Sequence, residues 1–573
     1  MFNRYYESEL SRLKRLAVEF AQNNPALAPM LSGTSADPDV ERLLEGVAFL
    51  NGLTRQKLDD EFPEFVQTLA NLLFPHYLRP VPASTMVRFE PRGPIGETVT
   101  VAAGTELASM PVDGTPCRFR TVCDLEVQPL RLADVNLLTA AGAAPVLLMD
   151  FELDGVTLDR WAPRAVRLFL GSGYADAAKL LLLLTRHVTD VRMTGNGERV
   201  ELGAQSVRAS GFDFDLLPYP GNAFGGYRVL QEFFAQPEKF LFVDLIGLDR
   251  WTRASGSTFS VVLELDQVPD WMPGISVDSF MLNVAPAINL FPHAADPIDH
   301  AHRASEYRVI PEGRNRAHYQ VYSVDQVIGH QQGIARERVY LPFGLYRHDG
   351  REAKLSYRTS QRGATVGRGT EVFLAVNYPP GETPVPETLS IRLTCTNGAL
   401  PEGLKLGDVS QPTSTSPDRL QFGNIRPVTA AQEAPVGDTL LWRMVSHVSL
   451  NYLSITRTEN LQSMLALYVQ AGRHDHAAEV ANQRRIDGIE RVSATPETRL
   501  VGRGSVMRGQ AVRVRCRADH YAGIGDLYVF GCMLERFLAD YASIHSYTRV
   551  ELEDALSGTV FKWPVRLGRQ TLL

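Results

Sequence analysis

Residues 64–85, EFVQTLANLLFPHYLRPVPAST, divide the chain into a helical start and a sheet-forming body. Phe65, Leu69, Leu72 and Leu73 recur at three- and four-residue spacing, which predicts an amphipathic helix over 64–74. Pro75 has no backbone N–H with which to extend it. Pro80 and Pro82 then fix their own φ and drive Arg79 and Val81 toward extended geometry, so a stiff strap should follow in place of a flexible linker. His76 and Tyr77 read most simply as packing residues at the helix end.

Upstream, Tyr6, Leu10, Leu13, Ala17 and Phe20 follow one another at spacings of four, three, four and three, a heptad seam that wants a partner helix. A second helix is expected after Asp37, Pro38 and Asp39, with Val40, Leu43, Val47 and Leu50 as its inner face, continuing to Leu58 and Phe62. Together with the helix over 64–74 these make an N-terminal helical module, residues 1–85, part of whose apolar surface should be buried elsewhere.

Downstream the hydrophobic period changes to two and turns become frequent, as in MVRFE, ETVTV and FRTV. FSVVLEL (259–265) is apolar enough to be a central strand. Helices are expected over 174–187, where Leu180 to Leu184 are apolar but too few to span a bilayer, and near 227–234. The fold class is α+β, elongated and multidomain, with a central β-rich region at 86–390. A C-terminal α+β region at 391–573 follows, its boundary set by the breaks YPPGETPVP and GDVSQPTSTSPD. In this last region Leu527, Phe530, Leu534, Phe537 and Tyr541 repeat the heptad spacing on a helix over 526–544, and 459–471 reads as another helix.

Composition excludes several functions. The 573 residues carry 58 Lys and Arg against 65 Asp and Glu, a net charge of −7, so the chain is not built to neutralise phosphates. The N-terminus MFNRYYESELSRLKRL lacks the apolar core of a secretory signal. Five scattered cysteines without CxxC spacing suit reduced thiols in the cytosol, as core filler. No GxSxG elbow, Walker loop or HExxH occurs.

The remaining constellations each have a bland reading. His474 and His476 point apart on a helix. His293, His300 and His302 with Asp296 and Asp299 lack the ligand-pair spacing of structural zinc, so no metal and no cofactor is expected. Asp213 and Asp215, on one face of a strand, suggest a glycosidase pair and hence a carbohydrate-active or carbohydrate-binding protein as the alternative function. Arg513, Arg515 and Arg517 alternate with Val512, Val514 and Cys516, a stripe fit to dock an acidic surface or to be paired within its own sheet. Nucleic acid is the weaker choice, because no aromatics interleave with the stripe.

The N-terminal MFNRYYESELSRLKRLAVEFAQNNPALAPML, then DPDVERLLEGVAFLNGLTRQKLDDEFPEF and LANLLFPHYLRPVPAS, closely resemble the TssF family, also called VasA or ImpG, of type VI secretion baseplate subunits. PAINLFPHAADPI, EYRVIPEG, HVSLNYLSI and GIGDLYVFGCMLERFLADYASIHSYTRVEL continue the likeness. It implies a cytoplasmic structural protein without catalytic residues, not inserted in the membrane. Two TssF copies would join one TssG in a wedge, with TssK and TssE bound. Six wedges would surround the VgrG spike hub, and the contractile sheath would be built on top. The candidate partner interface is then the two heptad seams, Tyr6, Leu10, Leu13, Ala17 and Phe20 with Leu527, Phe530, Leu534, Phe537 and Tyr541, together with the arginine stripe.

Overall fold

The structure is a computed structural model; it describes the chain apart from residues 1, 24–37, 141, 222, 252–254, 336, 344–354, 365–368, 380, 382–383, 437, 450–456, 470–475, 502–504 and 569–573. Helix α1 spans Phe2–Asn23 and α2 Pro38–Leu73. The sequence predicts two helices where α2 is one. Leu58, Phe62, Phe65 and Leu69 are spaced four, three and four apart, so the apolar phase is never broken and the helix continues. It ends where Pro75 opens a short 3₁₀ turn, Pro75–Leu78.

The strap is a buried spine. Pro80, Val81, Pro82 and Ala83 are all buried, and Val81 exchanges two 2.9 Å backbone bonds with Gln432 before the first strand, Ser84–Pro91, begins. That strand is flanked by Val284–Ile288 and Leu420–Asn424 in a six-stranded sheet, whose far edge is Gln411–Pro412 against Glu106–Val112. The division at 390/391 is therefore corrected. It falls inside the strand Glu387–Thr396, and residues 411–424 return to complete the sheet begun at Ser84.

A five-stranded sheet holds Thr258–Leu265 between Val188–Gly195 and Val146–Leu153, so FSVVLEL is a central strand as its composition predicts. A four-stranded sheet adds Ala165–Leu170 and Phe242–Ile246. An eight-stranded sheet is built around Gln320–His330 and Glu387–Thr396, and the last sheet around Ser505–Cys516 and Ser546–Asp554. Helices α3 (Tyr174–Arg186), α4 (Gly226–Ala235), α5 (Asp438–Ser449), α6 (Thr458–Ala466), α7 (His476–Asp487) and α8 (Ile524–Tyr541) are set among these sheets.

Helix α8 packs against α3, α4 and the strand Ser546–Asp554, and with them forms the largest hydrophobic core. Leu180 to Leu184 on α3 are buried there, as their composition predicts. Gly525 is required at the α8–α3 crossing, since a Cβ on it would stand 2.2 Å from the backbone nitrogen of Lys179.

Candidate assembly surfaces

Helices α1 and α2 form an antiparallel hairpin, fixed by Lys14 Nζ to Glu41 Oε1 at 2.8 Å and Arg55 Nη1 to Glu9 Oε1 at 2.5 Å. The closing face of α2 uses its small residues. Ala48 and Gly52 are one turn apart and buried, and a Cβ on Gly52 would lie 3.2 Å from the Tyr6 backbone nitrogen. Helices approach closely where side chains are small, which leaves the large ones outside.

This corrects the expected inner face. Leu43 and Leu50 are 68% and 64% exposed, and Val47, Phe49 and Leu53 are exposed beside them. The seam of α1 finds its partner helix within the chain: Tyr6, Leu10, Leu13 and Ala17 are half-buried against α2, and Phe20 is 51% exposed. Phe65, Leu72 and Leu73 continue the exposed apolar surface to the end of α2. Exposed apolar side chains therefore stand on both the first half and the last turns of α2. Leu16 and Val18, apolar residues outside the heptad seam, are the sequence signal that α1 has a second apolar face.

The hairpin is rooted in an aromatic hub. His76 lies stacked on Tyr219 (centroids 5.0 Å, planes 17° apart) and Tyr227 (5.5 Å, 24°), and its Nε2 is 3.2 Å from the Tyr468 hydroxyl. The Tyr77 hydroxyl and His447 Nε2 on α5 share a hydrogen bond. Burial lowers His76 to about 3 and His447 to about 3, so both rings are neutral, and the charge of Arg443 adds to the effect on His447. Beside the hub Gln67 clasps the eight-stranded sheet. Its Nε2 donates to Gln361 O at 2.5 Å, its Oε1 accepts from Gln361 N at 2.7 Å, and Gln361 Nε2 donates to Leu78 O at 2.6 Å.

The other candidate interface residues lie elsewhere and are not brought together with the hairpin. Leu527, Phe530, Leu534 and Phe537 are fully buried and Tyr541 nearly so, which removes the C-terminal seam as a partner surface. The physical reason is that its heptad spacing is met by α3 on one side, α4 on another and a sheet on a third. Arg513 pairs with Glu551 at 3.1 Å, Arg515 with Glu490 at 3.5 Å and Arg517 with Asp519 at 2.8 Å, so the arginine stripe is answered by acids of its own sheet and the adjoining turn.

The glycosidase reading loses its geometry. Asp213 and Asp215 sit in a turn, not on a strand, and each faces an arginine, Arg208 at 2.9 Å and Arg228 at 2.8 Å. Both carboxylates are thus taken up in ion pairs with neighbouring arginines. His293 stacks on Tyr319 and His300 on Tyr378, while His474 lies outside the described residues. Among the described residues no group of three or more His, Cys, Asp or Glu is disposed to hold a metal, and no helix is long and apolar enough to cross a membrane. The five thiols are free; burial pushes Cys117 up to about 11 and Cys395 up to about 12, as packing residues.

The sequence matches the family described as Type VI secretion system, TssF, over residues 1–570. The chain belongs to the TssF family. It is similar to the type VI secretion system component TssF1 of Pseudomonas aeruginosa PAO1, with 31% identity and 98% of each chain covered. Its fold is similar to a chain of a TssK-TssF-TssG baseplate subcomplex solved by cryo-electron microscopy, with a TM-score of 0.79 and 32% identity over 92% of this chain and 98% of that one. A second likeness, with a TM-score of 0.59, 28% identity and both chains fully covered, is to a chain of a type VI secretion baseplate complex. This TssF-family chain is accordingly a baseplate component of a type VI secretion system.

Proposed function

We propose that the chain is a wedge scaffold of the baseplate, and that the α1–α2 hairpin is the element that joins it to its neighbours. In this reading the exposed face around Leu43, Val47 and Leu50 enters a helical bundle with a TssG-family protein and a second copy of this chain, two copies to one. The solved relative in a TssK-TssF-TssG subcomplex supports a TssG-family partner and, beside it, a TssK-family one. TssE, the VgrG spike hub and the sheath are contacts of the completed assembly, which forms in the cytoplasm around the hub. The role is mechanical, with no reaction catalysed.

The observation that carries this reading is the apolar helical surface left uncovered by the hairpin's own closure, with Leu43, Leu50 and Phe65 each at least 64% exposed. In a helix-in-groove contact such residues supply the anchors. Co-expression with the TssG-family protein, followed by light scattering of the purified material, tests it. The expected result is a stable complex with two copies of this chain. A chain that stays monomeric beside its folded partner overturns the reading.

The buried strap gives the scaffold its stiffness. It runs without a break from the hub into the first strand of the six-stranded sheet, so a load on the hairpin is delivered to the sheets.

A further inference from the structure

Arg443 lies on the buried side of α5, one turn before His447, and α5 packs against α2, whose last turn exposes Leu72 and Leu73. Its side chain is partly exposed, and Nη1 is shut away from water with no hydrogen-bond partner. Among the described residues the groups that act on it are uncharged. The hydroxyls of Tyr77 and Tyr468 act on it, and His447 is kept neutral by burial. Burial pulls its own pKa below the ordinary guanidinium value, and among the described residues no carboxylate offsets the loss of water.

A guanidinium cannot discard its proton to escape this environment, as a lysine or histidine would. The charge stays, so the site is incomplete until an anion arrives. Three other cations buried in the chain have their carboxylates: Lys239 has Glu232, Arg167 has Asp244 and Arg485 has Asp526. Arg443, like Arg120 in the six-stranded sheet, has no ion-paired carboxylate among the described residues, and it sits at the root of the hairpin whose apolar face is exposed.

We propose that Arg443 is the receptor for a carboxylate on the helical partner that covers the α1–α2 hairpin. The inference rests on the hairpin reading above and adds the partner's chemistry. The partner is an amphipathic helix that places an Asp or Glu next to its apolar stripe, so that the acid reaches Arg443 as the apolar side chains cover Leu72 and Leu73. A planar, five-donor group specifies such a carboxylate and fixes the register of the docked helix.

The test uses the full-length chain and the TssG-family protein, with binding measured at two salt concentrations and melting of the chain alone. R443M removes a charge that has no counter-ion in the free chain. It should leave the melting temperature unchanged or higher, weaken binding at least tenfold and reduce the salt dependence of what binding remains. Binding of R443M within twofold of the original chain, an unaltered salt dependence, or a lowered melting temperature would overturn the proposal. The failure of the hairpin reading is distinguishable, because then L50D also binds like the original chain; loss of binding in L50D but not in R443M sinks only the role of Arg443.

Discussion

Tyr77 and His447 share a hydrogen bond across 370 residues of sequence, and this one contact joins the turn that ends α2 to helix α5. The consequence is that the hairpin's root is made from both halves of the chain. Tyr468 and Tyr227 stack on the same cluster, so four separate segments meet at a turn of four residues.

Removing the Tyr77 hydroxyl should loosen that root. Tyr77→Phe leaves His447 Nε2 without its bond inside a buried cluster, at a cost of about 1–3 kcal/mol. A urea titration of the full chain should show the first transition at lower denaturant. An unchanged midpoint would mean that the hub is held by packing alone.

The hub also sets a pH dependence. His76 and His447 are both depressed to about 3 in the folded chain, against 6.5 when unfolded. The unfolded state therefore binds protons first as pH falls. Their stabilising contribution is complete above pH 6.5 and is lost progressively below it, by up to about 1.4 kcal/mol per histidine per pH unit. Melting temperatures measured from pH 7 to pH 4.5 should fall throughout the interval. His447→Gln should fall less steeply, and a parallel curve would refute the assignment.

Two ion pairs of similar geometry should differ sharply in worth. Lys239 Nζ meets Glu232 Oε2 at 2.6 Å with both side chains at least 98% buried, and Glu232 Oε1 also holds the backbone nitrogens of Leu216 and Leu217. Lys239→Met leaves that carboxylate without a counter-charge and should destabilise by about 3–5 kcal/mol. Arg513→Ala breaks a pair whose arginine is 63% exposed and should change stability by less than about 1 kcal/mol. Thermal shifts of equal size for the two variants would contradict this ranking.

The Gln67 clasp should set how firmly α2 is held to the eight-stranded sheet. Gln67→Leu keeps the volume but strands the Gln361 amide. Hydrogen exchange in the strand Ser356–Gly363 should accelerate about tenfold or more, as expected for the loss of a buried bond of about 1–3 kcal/mol. Unchanged protection there would show that the clasp does not bear on the joint.

What the sequence disclosed follows what periodicity measures. The change from helical to strand period after Pro75 located the first strand correctly, and the apolar run at 259–265 identified a central strand, because both signals are local. The heptad spacing of Leu527 to Tyr541 marked a helix but not what covers it. A 3.5-residue repeat says that one face is apolar, whereas α8 is buried all round. On α2 the conspicuous leucines drew the inner face to Leu43 and Leu50, but Ala48 and Gly52 decide which face closes, since backbone approach depends on the smallest residues. The return of 420–424 to the sheet begun at Ser84 is a pairing across more than 300 residues, and no local pattern encodes it. The hub was half-visible: His76 and Tyr77 read as packing residues, but their partners come from segments that nothing in the sequence links to them.

The most direct test of the scaffold account is the complex formed by a double variant of the hairpin, Leu43→Asp with Leu50→Asp, co-expressed with the TssG-family protein and weighed by light scattering. Both positions are exposed in the free chain, so the variant should melt like the original protein. The predicted result is that it elutes alone, at the mass of an uncomplexed chain. Recovery of the intact complex at full mass would show that this face is not where the baseplate is joined.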